Sequence, residues 1–421
     1  MYDVLKNKSP LPGTPVESFE NRDRVIRKVR ELCGWNRPSF PGSQPTSLCR
    51  ESISLLLRND YVVCEKSDGV RALLLSASGS IFLIGRLEEV HEIKMKLPVR
   101  GNLSQSQQLT LLDGEVVMDK NPEDNSVSYR YLCYDGICIQ RKPLNKMNLL
   151  QRLSFVYTHV IVPLKMAGIY SSAPNKQLGD TDNSDPSDKL EIYLKDFFDI
   201  TQIKHINNIS VKLPHISDGL IFTPVNTPYT PGTCKSLLKW KPPHLNTVRF
   251  NNFTVVRLIS ASTPRLVQLF VSDSGTRVFY NEFLAPYGDV YKKIMEVALT
   301  DQITQIIVEC SWITDSRIYT FIPNLRNPKA DIKQRSTQSL TEGKIDYDFD
   351  NGTWIEGGWY ADRIREDKNV PNHISVVKSV KSSIEDDITF EMLVDEVEIF
   401  KKNGKMPLYK KSFLPQKYEV F

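Results

Sequence analysis

Lys66 stands in the string Glu65-Lys66-Ser67-Asp68-Gly69-Val70-Arg71, between two apolar runs. A lysine amine attacks phosphorus only after losing its proton. A free ammonium titrates near pH ~10.4, so such a lysine needs burial or neighbouring cations. A turn just after Lys66 would let it project from a rigid strand end, and Gly69 would let a nucleotide or backbone come close. Cations are available in Leu237-Leu238-Lys239-Trp240-Lys241-Pro242. On a strand, Lys239 and Lys241 would share one face and could clamp a triphosphate. Carboxylates appear in Leu112-Asp113-Gly114-Glu115-Val116 and in Ser217-Asp218-Gly219-Leu220. Glu115 suits a ribose hydroxyl or a metal, and Asp218 suits a divalent ion bridging phosphate oxygens. In Trp359-Tyr360-Ala361-Asp362-Arg363-Ile364-Arg365-Glu366-Asp367-Lys368, the two arginines alternate. They could hold the β- and γ-phosphates that leave as pyrophosphate. Taken singly, each segment also fits an ordinary hairpin turn, a solvated edge or a salt-bridged surface strand.

The elements that must position these groups read as an α+β protein with antiparallel sheets. From Tyr61 onward, short β-type runs alternate with turn residues. Helical patterns are expected over residues 22–33, 148–159 and 189–198. Residues 171–189 are dominated by Ser, Asp, Asn and Pro and read as a loop insertion. After Pro242-Pro243 a second series of strand-like runs begins, with the length and texture of a small OB-fold β-barrel. The expected division is therefore residues 1–243, 244–372, and a helix and tail over 373–421 packing on the first domain. Within that tail, Phe390, Leu393, Val394, Val397 and Phe400 recur at helical spacing, and Asn403-Gly404 ends the run.

Composition restricts the function classes. With 54 basic and 50 acidic residues, the net charge of +4 permits nucleic-acid binding without requiring it. The seven cysteines form no C-x-x-C pair and have no zinc-finger spacing, so reduced, buried thiols are expected. The apolar runs are too short to cross a bilayer, and the amino-terminal stretch has no secretory pattern. An intracellular protein without membrane partners is the expectation.

In order, EKSDGVR, LLDGEVV, YLCYDGI, SDGLIF, LLKWKP and RIREDK resemble the motif series of the covalent lysyl-NMP nucleotidyltransferases. Within that superfamily the chain resembles the cellular mRNA capping guanylyltransferases, from about Phe40 to Asn372 and including Pro41-Gly42-Ser43-Gln44-Pro45. The resemblance implies a nucleotidyltransferase domain joined to an OB-fold domain by a hinge near residues 242–245. It implies GTP as substrate with Mg²⁺ or Mn²⁺, and a Lys66 phosphoramidate with GMP. Arg71, Arg86 and Glu115 would contact the nucleotide, an aromatic of Tyr131-Leu132-Cys133-Tyr134, Tyr131 in the first place, would stack on guanine, and Asp218 would act at the metal. Lys239 and Lys241 would hold the α-phosphate. Arg363, Arg365, Asp367 and Lys368 would come from the second domain, which closes over GTP and opens to admit RNA.

Two other functions fit parts of this pattern. An ATP-dependent polynucleotide ligase shares the lysine motif and the two-lysine strand, but RIREDK and LLKWKP favour capping. A non-catalytic OB-type RNA-binding scaffold would not need the full set of reactive groups found here. No H-C-x₅-R phosphatase loop occurs. A separate RNA 5′-triphosphatase is therefore expected, and the resemblance to capping guanylyltransferases implies 5′-diphosphate RNA and the phosphorylated tail of RNA polymerase II as further partners. The expected location is the nucleus.

Overall fold

The computed structural model describes residues 11–120, 127–168, 190–254, 266–300, 306–314, 317–325, 347–366 and 368–402. The chain divides into two compact units, Met1–Trp240 with Glu391–Phe421, and Lys241–Phe390.

Among the described residues, the first unit carries two large sheets. One has the order Thr14–Pro15, Val90–Ile93, Ser80–Gly85, Val70–Ala77, Thr110–Lys120, Val127–Ile139, Lys142–Pro143, with Leu190–Leu194 also paired to Val127–Ile139. The other has the order Phe198–Asp199, Tyr61–Ser67, Ser217–Pro224, Thr233–Trp240, Gln44–Ser47. The expectation of antiparallel sheets is corrected in two places. Leu190–Leu194 runs parallel to Val127–Ile139, and Gln44–Ser47 runs parallel to Thr233–Trp240. Parallel neighbours need long crossovers, and both pairs join segments far apart in sequence.

The helix expected over 189–198 is also overturned. Leu190–Leu194 alternates as a strand does, with Leu190 and Ile192 buried beside Val116 and Tyr131 in the core. Its Ile and Tyr suit a pleated surface better than a helix. The helix Phe19–Cys33 forms close to the expected span. Leu149–Val156 continues through the five-residue π-helical turn Tyr157–Ile161 into Val162–Met166.

The apolar stripe near the carboxyl end does form a helix, Phe390–Lys402, with Leu393, Val394 and Val397 buried. From Glu391 it belongs to the first unit, where Glu398 accepts a hydrogen bond from Lys204 at 2.6 Å. The preceding helix, Ile374–Asp386, belongs instead to the second unit and places Val377 and Val380 in that core. Residues 373–421 are therefore not one appendage. The 171–189 insertion and the Asn403-Gly404 stop lie outside the described residues.

In the second unit, antiparallel strands follow the order Thr276–Phe283, Val267–Asp273, Thr247–Thr254, Ile306–Ile313, Gly358–Ile364. An isolated bridge, Leu284 to Trp359, links the two outer members of that series. Trp359 is buried and meets Phe250 edge-on at 4.9 Å between ring centroids. Tyr319–Leu325 and Tyr347–Glu356 form a separate two-stranded ribbon.

Candidate active site

A cavity lies between the two sheets of the first unit. The Tyr61–Ser67, Ser217–Pro224 and Thr233–Trp240 strands supply Cys64, Lys66, Ile221 and Leu237. The opposing sheet supplies Arg71, Asp113, Glu115 and Tyr134. Lys66 is 23% exposed, and its Nζ donates to Asp218 Oδ1 at 2.7 Å. That contact has a backbone cause. Ser217 pairs with Ser67 and Leu220 with Glu65, so Asp218 and Gly219 together oppose Lys66. A bulge of this kind re-aims a side chain, here turning a carboxylate toward the lysine.

Arg71 is buried in a network. Its Nε and Nη2 donate to the two Asp113 carboxylate oxygens at 3.1 and 2.6 Å. Burial opposes the guanidinium's charge, but Asp113 keeps it firmly protonated. The Tyr229 hydroxyl donates to Asp113 Oδ2 at 2.6 Å and accepts from the Ser43 backbone N–H at 3.0 Å. The Phe40 and Tyr134 rings lie 5.5 and 5.6 Å from the guanidinium carbon. The Pro41-to-Pro45 string thus has a local role, following Phe40, which lies over the arginine, and bringing the Ser43 amide onto Tyr229.

Glu115 shares the Asp113 strand face two residues on. Burial pushes its carboxyl above the usual range, while Lys66, Arg86, Arg71 and Lys195 pull the other way. Arg86 lines the cavity and is exposed.

Sequence reasoning missed three further cavity groups: Lys195, Arg152 and Asp113. Lys195 donates to Ser67 Oγ at 2.7 Å and lies 3.1 Å from Glu65. Arg152 makes a two-pronged contact with Asp135 at 2.6 and 2.8 Å and also holds the Thr227 carbonyl at 3.1 Å. The signal for Asp113 was its i, i+2 relation to Glu115. For Lys195 it was hidden by the mistaken helix.

The expectation that Tyr131 stacks on a base is corrected. Tyr131 is fully buried on the other sheet face, packs with Val116 and Ile192, and donates its hydroxyl to the Ala72 carbonyl at 3.1 Å. Its ring lies across Gly114. Of these two tyrosines it is Tyr134 that lines the cavity, alongside Phe197 and Tyr229, at a register shift where Cys133 pairs with Gly114 and Asp135 with Asp113. A Cβ at Gly114 would meet Tyr131 Cζ at 2.5 Å and the Leu132 carbonyl oxygen at 2.8 Å. Gly114→Ala is therefore expected to destabilise the first unit by about 1–3 kcal/mol, the usual penalty for overpacking. The urea midpoint measures it, and an unchanged midpoint would show that the ring can shift at no cost.

Lys239 sits opposite Ile221, on the sheet face that lines the cavity. The strand ends at Trp240, so Lys241 does not continue the alternation; it begins the second unit. In that unit Arg363 and Arg365 converge on Glu309, with Arg365 buried. Thr247 Oγ1 also donates to Glu309 at 2.8 Å. Burial alone would raise the Glu309 pKa, but the hydrogen bonds from Thr247, Arg365 and Arg363 hold it down at about 2. This pairing is what the salt-bridged reading of the segment anticipated. Lys368 is half-buried, and Asp367 lies outside the described residues.

The depressed Glu309 pKa gives a pH-dependent stability. Its contribution is complete above the ordinary carboxylate value of 4.5 and is lost as pH falls toward about 2. Glu309→Gln should be less stable than the parent at neutral pH, and the gap should close across that window. Urea midpoints at successive pH steps check this, and a constant gap would contradict it.

Mg²⁺ or Mn²⁺ takes hard oxygen ligands. Asp218 and Glu115 are such donors, but no cluster of three protein ligands occurs among the described residues.

Comparison with known proteins agrees with this geometry. Residues 10–243 match the model for the mRNA capping enzyme catalytic domain, and residues 250–394 match its C-terminal domain. The chain is 31% identical to the mRNA-capping enzyme subunit alpha of Candida glabrata, over 91% of this chain and 88% of the relative. It is 29% identical to the Saccharomyces cerevisiae protein of the same name, covering 86% and 80%. The mRNA-capping enzyme of Mus musculus is 28% identical over 91% of this chain and 54% of the mouse protein. Matched by that family's model over more than half its length, the chain belongs to the mRNA capping enzymes.

Proposed function

We propose that this capping enzyme is an mRNA guanylyltransferase in which Lys66 carries the nucleotide. The observation that carries the reading is the Lys66–Asp218 contact of 2.7 Å at a cavity flanked by Arg71, Arg86, Glu115 and Lys195. In the first half-reaction, Lys66 Nζ loses a proton and attacks the α-phosphorus of GTP. A P–N bond forms, the bond to the bridging α,β-oxygen breaks, and pyrophosphate leaves. In the second, a terminal oxygen of 5′-diphosphate RNA attacks the same phosphorus. The P–N bond breaks, the amine regains a proton, and a GpppN end results.

Asp218 holds the amine at the reacting position and is placed to receive its proton. Glu115 offers its carboxyl to a ribose hydroxyl, and Tyr134, not Tyr131, presents a ring for the base. Asp218 would be the protein's ligand for a Mg²⁺ or Mn²⁺ ion, which would supply neutralisation of phosphate charge. Lys239 and Lys241 are proposed for the α-phosphate. For Arg363, Arg365, Asp367 and Lys368, a phosphate-clamp role in the first half-reaction rests on their motif alone.

The outer-strand bridge Leu284 to Trp359 supports reading the second unit as an OB-type barrel. The fungal relatives bear the name subunit alpha, which speaks of an assembly with another chain. A separate RNA 5′-triphosphatase is the partner proposed here, because the reaction consumes diphosphate ends. The phosphorylated tail of RNA polymerase II and a nuclear location follow from the same reading.

Incubation with α-³²P GTP or ATP and Mg²⁺ or Mn²⁺, followed by a denaturing gel, tests the function. Acid-labile label from GTP alone is expected. Label from ATP alone would identify a polynucleotide ligase, and no label with GTP bound would leave a non-catalytic scaffold.

A further inference from the structure

Two guanidinium groups two residues apart repel each other unless a counter-charge stands between them. Arg363 and Arg365 share such a counter-charge in Glu309. The Ile306–Ile313 strand pairs Glu309 with Arg363 on one side and with Arg249 on the other. Directly opposed residues share a sheet face, so arginines from both neighbouring strands stand beside this one carboxylate. A register shift falls at the same place. Cys310 pairs with Ala361, so Asp362 is the extra residue, and the Ser311 hydroxyl donates to it at 3.0 Å.

The two carboxylate oxygens have different tasks. Oε2 meets Nε and Nη2 of Arg363 at 2.8 and 2.7 Å and Nη1 of Arg365 at 2.6 Å. Oε1 accepts from Thr247 Oγ1 at 2.8 Å. Thr247 thus turns the carboxylate, and the other oxygen gathers both arginines at one point. Glu309 is 15% exposed and Arg365 8%, whereas Arg363 is 43% exposed. A loose arginine at such a surface would have to give up its rotamer freedom on meeting a ligand. Anchored to a buried carboxylate, Arg363 has already done so. A guanidinium has five N–H donors, and the anchor engages only the Nε and Nη2 side of Arg363. Arg249, Arg363 and Arg365 against Glu309 and Asp362 leave an excess of positive charge here, as an anion site needs.

We propose that Glu309, turned by Thr247, is a positioning residue for the reaction, holding Arg363 and Arg365 together as one doubly cationic unit for the departing pyrophosphate. The inference rests on the phosphate-clamp reading of those two arginines. Glu309 touches neither phosphate nor reacting atoms and acts through the arginines alone. Its loss should therefore slow the half-reaction that releases pyrophosphate. Transfer of GMP to RNA involves no pyrophosphate and should proceed as before.

Three rates measured on the full chain test this: lysyl-GMP formation from GTP, its reversal by pyrophosphate, and GMP transfer from the isolated adduct to 5′-diphosphate RNA. Adduct formation by the parent protein, absent in Lys66→Ala, keeps a failure of the guanylyltransferase reading separate. Glu309→Gln should slow formation and reversal by at least about tenfold each, with transfer to RNA within about twofold of the parent. Arg363→Ala and Arg365→Ala should show the same split. If both arginine variants keep the parent rates, the clamp reading itself falls, and the inference with it. If they are slowed while Glu309→Gln is not, the positioning role alone is overturned. It is also overturned if Glu309→Gln slows all three steps alike, since the carboxylate then serves only the fold. Faster adduct formation in Glu309→Gln would overturn it too, making Glu309 a competitor of phosphate for the arginines. Thr247→Val keeps the carboxylate and removes one of its hydrogen bonds, so it should slow the same two rates by a smaller factor. Should Glu309→Gln fail to fold, Thr247→Val decides: an equal effect on all three steps, or none, overturns the proposal.

Discussion

Lys66→Ala eliminates the covalent GMP adduct, a loss on the order of 10⁴–10⁶ in rate, the scale seen when a covalent nucleophile is removed. The structure makes the experiment clean. Lys66 is 23% exposed at the cavity edge, so truncation opens no hole in the core, and GTP should still bind. Lys66→Arg should fail equally, because a guanidinium does not give up its proton at working pH. Intact-mass measurement after incubation with GTP reads the result directly. Persistence of the adduct in Lys66→Ala would place the nucleophile elsewhere and end the mechanism proposed here.

Asp113→Ala should cost the first unit about 3–5 kcal/mol of stability, the usual penalty for stranding one member of a buried ion pair. Its side chain is wholly buried and Arg71 is 4% exposed, so the guanidinium would lose its carboxylate in a poorly solvated place. Tyr229 loses its acceptor at the same stroke. Asp113→Asn keeps the shape and one acceptor and should fall between the two. Both variants should also slow GMP transfer, since Arg71 would no longer be fixed between Phe40 and Tyr134. Urea unfolding measures the first effect and adduct formation the second. A shift under about 1 kcal/mol in Asp113→Ala would mean that the guanidinium finds other partners on relaxation.

How much of the site could be read in the sequence follows a physical divide. Lys66, Arg71, Glu115 and Asp218 stand within short strings whose turn residues fix local geometry, and all four meet at or beside one cavity. Tyr131 and Tyr134 could not be told apart that way. The choice depends on a register shift at Tyr134, which is a property of strand pairing and not of composition. Asp113, Tyr229 and Ser43 were invisible as a set because Tyr229 lies 116 and 186 residues from its two partners along the chain. Lys195 was lost because a five-residue strand of mixed polarity reads as readily as a turn and a half of helix. In the second unit, the arginine spacing was legible, but their shared partner Glu309 comes from another strand.

The bond from Ser43 to Tyr229 bears on how the enzyme is made. During synthesis Lys66 leaves the ribosome long before Tyr229 and the Thr233–Trp240 strand, on which the early Gln44–Ser47 strand depends for its pairing. Closing so long a loop costs only slightly more entropy than closing a short one, but it delays the contact. The nucleophile is therefore translated early and becomes competent late. A nascent chain interrupted before residue 240 would carry Lys66 without its cage, leaving an inert lysine on an unfinished sheet.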